Sequence, residues 1–226
     1  MTIADHQVVL AIDASSALSS IVLAQGQACL GQQTWQASRG NSGILVKNIA
    51  AVCRAANMPW EKLDLILIGC GPGQYASLRA SVAAAQAIQL PSQGRVCGIP
   101  SAYALLVAAR TAHPNSPGII ICGDARRNNI WMYHWQPTSQ IEFPPMQCVN
   151  TEALQSLQVA QGTSIISPDC ARLQPRLPIP AAANWIDADR HPDATDLIQA
   201  ARQDPSIIGP PDIHYVHPPV FVPPSQ

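Results

Sequence analysis

Apolar residues come in two rhythms along the first half of this chain. "VVLAIDAS", from Val8, is a nearly unbroken apolar run ending in Asp13 and small polar residues, which predicts a buried strand. "SSIVLAQG" and "GQACLGQQTW" follow after short turns, and strands so closely spaced predict an antiparallel meander. The rhythm then changes. Leu45, Ile49, Val52, Cys53 and Ala56 recur at helical spacing, behind Asn41 and Ser42, either of which suits a helix N-cap, and ahead of Asn57 and Pro59, which end the helix. "PWEKLD" is a connector with Pro at a helix-start position. "LDLILIG" reads as a strand covered on both faces, as in a parallel sheet. A Gly-Pro-Gly loop leads into the Ala-rich helix "SLRASVAAAQAIQL". The strand "RVCGI" and the helix "PSAYALLVAAR", with Ser101 as its cap, complete a β-β-β-α-β-α-β-α order over residues 1–110.

The loop "HPNSPG" separates this lobe from a second one, residues 111–226. That half opens on "GIIICGDARRNNIWMYHWQ": apolar strand, Asp-Ala, polar turn, apolar strand. The first half opens the same way, with Asp13-Ala14 where the second has Asp124-Ala125, which marks a decayed internal repeat. Beyond residue 150 the pattern predicts a helix at "VNTEALQSL", a strand at "GTSIISPD" and a helix at "ATDLIQAARQ". The tail "GPPDIHYVHPPVFVPPSQ" is Pro-rich and predicted to be extended. Two lobes that each begin strand-Asp-turn-strand predict an α/β, ribonuclease-H-like duplicated fold with a reduced second lobe. It is the layout of actin, sugar kinases and chaperone ATPases, in which ATP lies between the lobes.

Composition narrows the picture. With 226 residues, 47% of them apolar, the chain can bury a sizeable core. A net charge of −1 leaves no electrostatic footprint for nucleic acid or acidic lipid. The seven cysteines are odd in number, widely spaced and free of any Cys-x-x-Cys, so reduced thiols and a cytoplasmic setting are expected. No signal peptide pattern opens the sequence, and no apolar run approaches a membrane span.

The candidate chemistry gathers at the loops. A glycine loop at a helix N-terminus presents free N–H groups and the positive end of a dipole, which suits an anion. However, "GPGQYASLR" is neither a Walker loop nor a G-x-G-x-x-G fingerprint. Gly71 and Gly73 therefore serve either as a phosphate cradle or as a sharp strand-to-helix turn, with Arg79 one helical turn on. Asp13 and Asp124 are candidates for positioning a metal-bound water and phosphates, or for capping their own turns. Metal ligation is not expected: no His-Glu-x-x-His occurs, and His214 and His217 lie three apart in an extended tail, facing opposite sides.

The ordered segments "VVLAIDASSALSSIVLAQ", "LDLILIGCGPGQYASLRASVAAAQAI", "GIPSAYALL" and "DARRNNIWMYHW" resemble the TsaB (YeaZ) family over about residues 7–136. "IHYV" near the end is similar to that family's closing strand. The resemblance implies a two-lobed actin-like fold and a non-catalytic role, with neither cofactor nor metal. It implies a TsaD-type partner that transfers a threonylcarbamoyl group to the adenosine next to the anticodon in tRNA, a TsaE-type ATPase as a further partner, and a homodimer when the chain is alone. It also places the first helix at the partner interface. With the small-residue face of the Ala-rich helix, the candidates are Leu45, Ile49, Val52, Ala83 and Ala87, although most of these two faces is expected to be intramolecular core. TsaD-type proteins hold metal through His-x-x-x-His, which is absent here. The family loop Gly-Pro-Gly-Ser-Phe-Thr-Gly-Leu-Arg is matched at Gly71, Pro72, Gly73, Leu78 and Arg79 but departs at Gln74 to Ser77. The family turn Arg-Arg-Gly-Glu-Val-Tyr reads Arg126 to Trp131 with changes at four of its six positions, and the family's His-Ser-Glu-like start before the first helix is missing. Two rivals stay open. One is an active small ATPase or kinase holding Mg-nucleotide on Asp13, Asp124 and the glycine loop, although only about 110 residues remain for its second lobe. The other is a homodimeric scaffold.

Overall fold

Val8–Asp13 (β1) is buried at every position, because it lies at the centre of a five-stranded sheet. The computed structural model describes residues 2–37, 43–91, 94–137, 144–186 and 188–216. β1 pairs antiparallel with Leu18–Gln25 (β2), which pairs antiparallel with Ala28–Gln36 (β3). On its other side β1 runs parallel to Leu65–Gly69 (β4), and β4 runs parallel to Arg95–Ile99 (β5). The order is β3-β2-β1-β4-β5. Gly43–Ala55 (α1) and Tyr75–Gln89 (α2) cover one face, where Leu45, Ile49 and Val52 meet Leu10, Ile12 and Ile66. β4 is fully buried, as its unbroken apolar run predicts for a parallel strand with both faces covered.

The second half repeats the plan. Ile119–Arg126 (β6), Asn129–Trp135 (β7) and Gln147–Asn150 (β8) form a meander, and Thr163–Ile166 (β9) and Ala183–Trp185 (β10) add in parallel beside β6. The order β10-β9-β6-β7-β8 matches the first sheet strand for strand. The helices also correspond, but they shrink. A six-residue 3-10 turn at Thr151–Ser156 stands for α1, and the four residues Cys170–Leu173 (α4) stand for α2. This is the duplicated α/β ribonuclease-H-like fold, with the expected economy in the second half.

The last helix of each half binds the halves together. Ser101–Ala112 (α3) turns Ala102, Leu105 and Ala109 toward Ile119, Ile121 and Trp131 of the second sheet. Its Tyr103, Ala104 and Val107 join Ala194–Gln203 (α5) over the first sheet. A helix used on both sides must be apolar nearly all round, and α3 is.

Several local expectations change. α2 begins at Tyr75, two residues earlier than its apolar pattern indicates. Ser101 is the first helical residue rather than the cap, because its hydroxyl serves the adjacent loop. "VNTEALQSL" divides into β8 and the 3-10 turn, capped by Asn150, whose side chain accepts from Glu152 N–H. "IHYV" forms no strand; the tail is held instead through Gly209, which bridges Gly98. The caps proposed at Asn41 and Ser42, His217 and the rest of the tail lie outside the described residues. Among the described residues no helix is long and apolar enough to cross a membrane.

Candidate functional site

The ends of β1, β4, β6 and β9 face a cleft of about 580 Å³ between the sheets. Ser15 and Ser16, the Gly73-Gln74-Tyr75 turn, Asp124 to Arg126, Asp169 and Arg172 line it, and His214 to Val216 pass along it. That volume falls in the usual range for small-molecule pockets. Of the five residues expected to hold nucleotide, Gly73 and Asp124 line this cleft, whereas Asp13, Gly71 and Arg79 do not.

Asp13 is completely buried. Its Oδ1 accepts from the Ser15 N–H at 2.9 Å and from the Ser15 hydroxyl at 2.7 Å. Oδ2 has no hydrogen-bond partner. The Ser101 hydroxyl lies beside it and accepts from the Gly71 N–H at 3.1 Å. Burial pushes the carboxyl up to about 6, against the easing effect of Ser101 and Ser15. Asp13 thus holds the β1–β2 turn through Ser15 and lies beside the first residue of α3, in a place that the cleft does not reach.

The glycine loop is folded onto that turn. Gly71 has φ +88°, the left-handed region that glycine enters without strain, and the Gly71–Pro72 bond is cis. Gln74 N–H donates to the Ser15 carbonyl at 2.8 Å, and a Cβ at Gly73 would overlap that same carbonyl. Two of the N–H groups that a phosphate cradle would use, those of Gly71 and Gln74, are therefore already bonded within the chain. Arg79 donates to the Tyr75 hydroxyl at 2.7 Å and lies over the Tyr75 ring at 5.3 Å.

On the opposite wall Asp124 is held by arginines. Arg126 reaches its Oδ2 at 3.2 Å and Arg172 reaches the same oxygen at 2.8 Å. Arg172 also binds Asp169 at 2.7 Å, and Asp169 in turn accepts from the Asp124 N–H at 3.0 Å. The hairpin that carries this clasp is unusual, since Arg126, Arg127 and Asn128 all have positive φ, between 53° and 68°. One cationic side chain spans both carboxylates of this wall. Among the described residues no group of three or more His, Cys, Asp or Glu side chains could hold a metal ion.

The expected partner contacts divide by face. Leu45, Ile49 and Val52 are buried in this chain's own core, because the apolar stripe of α1 faces the first sheet. The outer face of α1 instead presents Val46. Ala83 and Ala87 do lie on the outer face of α2, and Leu90, which follows its last residue, is 81% exposed. The sequence reading missed Ser101, Asp169, Arg172 and Tyr215. Asp169 had a signal, because "IISPD" leaves β9 as "LIGCGPG" leaves β4, each with Pro two residues past the strand or close to it.

The family model described as TsaD: tRNA N6-adenosine threonylcarbamoyltransferase matches residues 31–171, more than half of the chain. The chain belongs to the TsaD family. Among solved structures, YeaZ from Pseudomonas aeruginosa is similar at TM-score 0.69 with 18% identity, over 86% of this chain and 90% of that one. A second Pseudomonas aeruginosa structure, described as an uncharacterized protein with similarity to peptidase YEAZ, has TM-score 0.67 and 20% identity over the same shares. These two likenesses establish the fold that this TsaD-family member shares with YeaZ. The uncharacterized protein Rv3421c of Mycobacterium tuberculosis is 26% identical over 207 residues, which span 84% of this chain and 94% of the relative.

Proposed function

We propose that this TsaD-family chain is a TsaB-type, non-catalytic subunit. It binds and activates a TsaD-type partner in threonylcarbamoylation of the adenosine next to the anticodon of tRNA. The observation that carries this reading is the arginine clasp: Arg172 occupies the space between Asp124 and Asp169 that a phosphate-bound cation would need. The inward-turned Asp13 and the bonded N–H groups of the glycine loop support it. The chain keeps the architecture of a nucleotide cleft while its polar groups are spent on one another.

The surface offered to the partner is the outer face of α1 and α2, with Val46, Ala83, Ala87 and Leu90. Small and apolar side chains there let another helix approach closely. The same face serves a second copy when the partner is absent, and a TsaE-type ATPase joins the assembly afterwards. The test is co-purification with the TsaD homologue of the same organism, together with tRNA nucleoside analysis in a deletion strain. A complex is expected, and Ala83→Glu abolishes it without loss of fold, because the position is exposed. Absence of a complex, with normally modified tRNA in the deletion strain, overturns the reading.

A further inference from the structure

The tail between Ile208 and Val216 follows a route that neither the fold nor the proposed role requires. Gly209 makes both hydrogen bonds of an antiparallel bridge to Gly98 at the free edge of β5, at 2.9 and 3.1 Å. Pro210 and Pro211 have no N–H to continue the ladder, so pairing stops after one step and the chain lifts away. It returns at His214, whose N–H donates to the Cys70 carbonyl at 2.9 Å, at the entrance to the glycine loop. Tyr215 then stacks on Tyr75 at 5.2 Å, and Val216 packs against the core of the second lobe. The segment thus starts on one lobe, crosses the mouth of the cleft and ends on the other. His214, Tyr215 and Val216 form part of the cleft wall.

Its attachments are few. Among the described residues they are one bridge, one further hydrogen bond, an aromatic pair in which both rings are about half exposed, and two partly buried apolar side chains, Ile208 on the first core and Val216 on the second. Segments held by so few contacts open at a small fraction of the free energy of global unfolding. Beneath the segment lies Cys70, 2% exposed. Its sulfur, the Pro210 carbonyl and the Pro211 α-carbon all lie within 3 Å of where a Cβ would stand on Gly98, so the two prolines sit close beside the thiol.

We propose that Ile208–Val216 is a strap across the cleft that opens as a unit, ahead of global unfolding, with the Tyr75–Tyr215 stack as its latch. When it is closed, the strap covers Cys70, the β5 edge and one side of the cleft mouth. When it is open, it releases all three together and frees the lobes from this tie. The inference does not depend on which partner the chain binds.

Cys70 reports the motion. Burial holds its thiol up, at about 12, so it reacts only when uncovered. The experiment is timed N-ethylmaleimide labelling of the native full-length chain, resolved by peptide mass spectrometry. Two buried thiols away from the strap serve as references: Cys53 in α1, 2% exposed, and Cys122 in the central strand of the second sheet, fully buried. Cys70 is expected to label faster than both. Tyr75→Ala, at an exposed helical position, raises the Cys70 rate about three- to tenfold, the factor that loss of an aromatic pair brings, and leaves the other two unchanged. If Cys70 labels in step with Cys53 and Cys122, the strap does not open by itself and the proposal fails. It also fails if Tyr75→Ala leaves the Cys70 rate unaltered or raises all three rates equally.

Discussion

Asp13 shows how far a single residue can depart from the role its position invites. An aspartate at the end of the first strand is, from the sequence, a candidate for positioning phosphates, yet here it is sealed under Ser15, Gly69 and Ser101. The structural role has a pH signature. The carboxyl is held at about 6 instead of its ordinary 3.8, with burial as the main cause, so folding takes up a proton between those values. Its favourable contribution is complete below about pH 4 and is lost as pH rises through 6. Asp13→Asn keeps an acceptor for Ser15 and removes the titration. In urea unfolding from pH 4.5 to 7, the stability of the parent relative to this variant should fall by about 2 kcal/mol as pH rises. A difference independent of pH would mean that Asp13 is ionised throughout. The sequence marks this aspartate clearly. What it hides is Ser101, 88 residues away along the chain and looking like an ordinary helix cap until the fold turns its hydroxyl toward the glycine loop.

The elements were legible where their hydrophobic rhythm was long. β1, β4, α1 and α5 could all be read from periodicity, because each commits a whole face to one core. β8, β10 and α4 were missed, since three or four residues cannot display a period. Periodicity also says which stripe of a helix is apolar but not what covers it. Leu45, Ile49 and Val52 form an evident stripe, and only the packing shows that the first sheet has claimed it. The Gly-Pro-Gly loop was legible as a turn, and the structure adds its counterpart, the Ser15 carbonyl. Gly73→Ala therefore has to push the loop off the β1–β2 turn, at a cost of about 1–3 kcal/mol as in other overpacked sites. Chemical denaturation measures it, and a change under about 0.5 kcal/mol, the scale of an ordinary surface substitution, would show that the contact is slack.

At the scale of the molecule, the two halves meet through α3, α5 and the strap, and the second half gives the cleft its charged wall. The wall makes the nucleotide-binding rival testable. If Arg172 stands where a cation would, millimolar Mg-ATP leaves the melting temperature of the parent chain unchanged, and a clear rise would favour the rival. Arg172→Ala leaves Asp124 paired with the exposed Arg126 and takes the arginine away from Asp169. That variant should lose about 1 kcal/mol, since Arg172 is itself partly exposed. It should regain stability on adding Mg²⁺, which the parent does not.

The return of α5 to the first sheet has a consequence for biosynthesis. Val9, Ala11, Leu65 and Leu67 share a core with Leu197, Ala200 and Ala201. While the chain is being made, the inner face of the first sheet waits for a helix more than a hundred residues further along. Until that helix is made the face lacks its cover, and contacts of such long sequence separation are slow to form. Nascent chains stalled before residue 194 should therefore associate with ribosome-bound chaperones, and chains extended far enough for α5 to clear the exit tunnel should let them go.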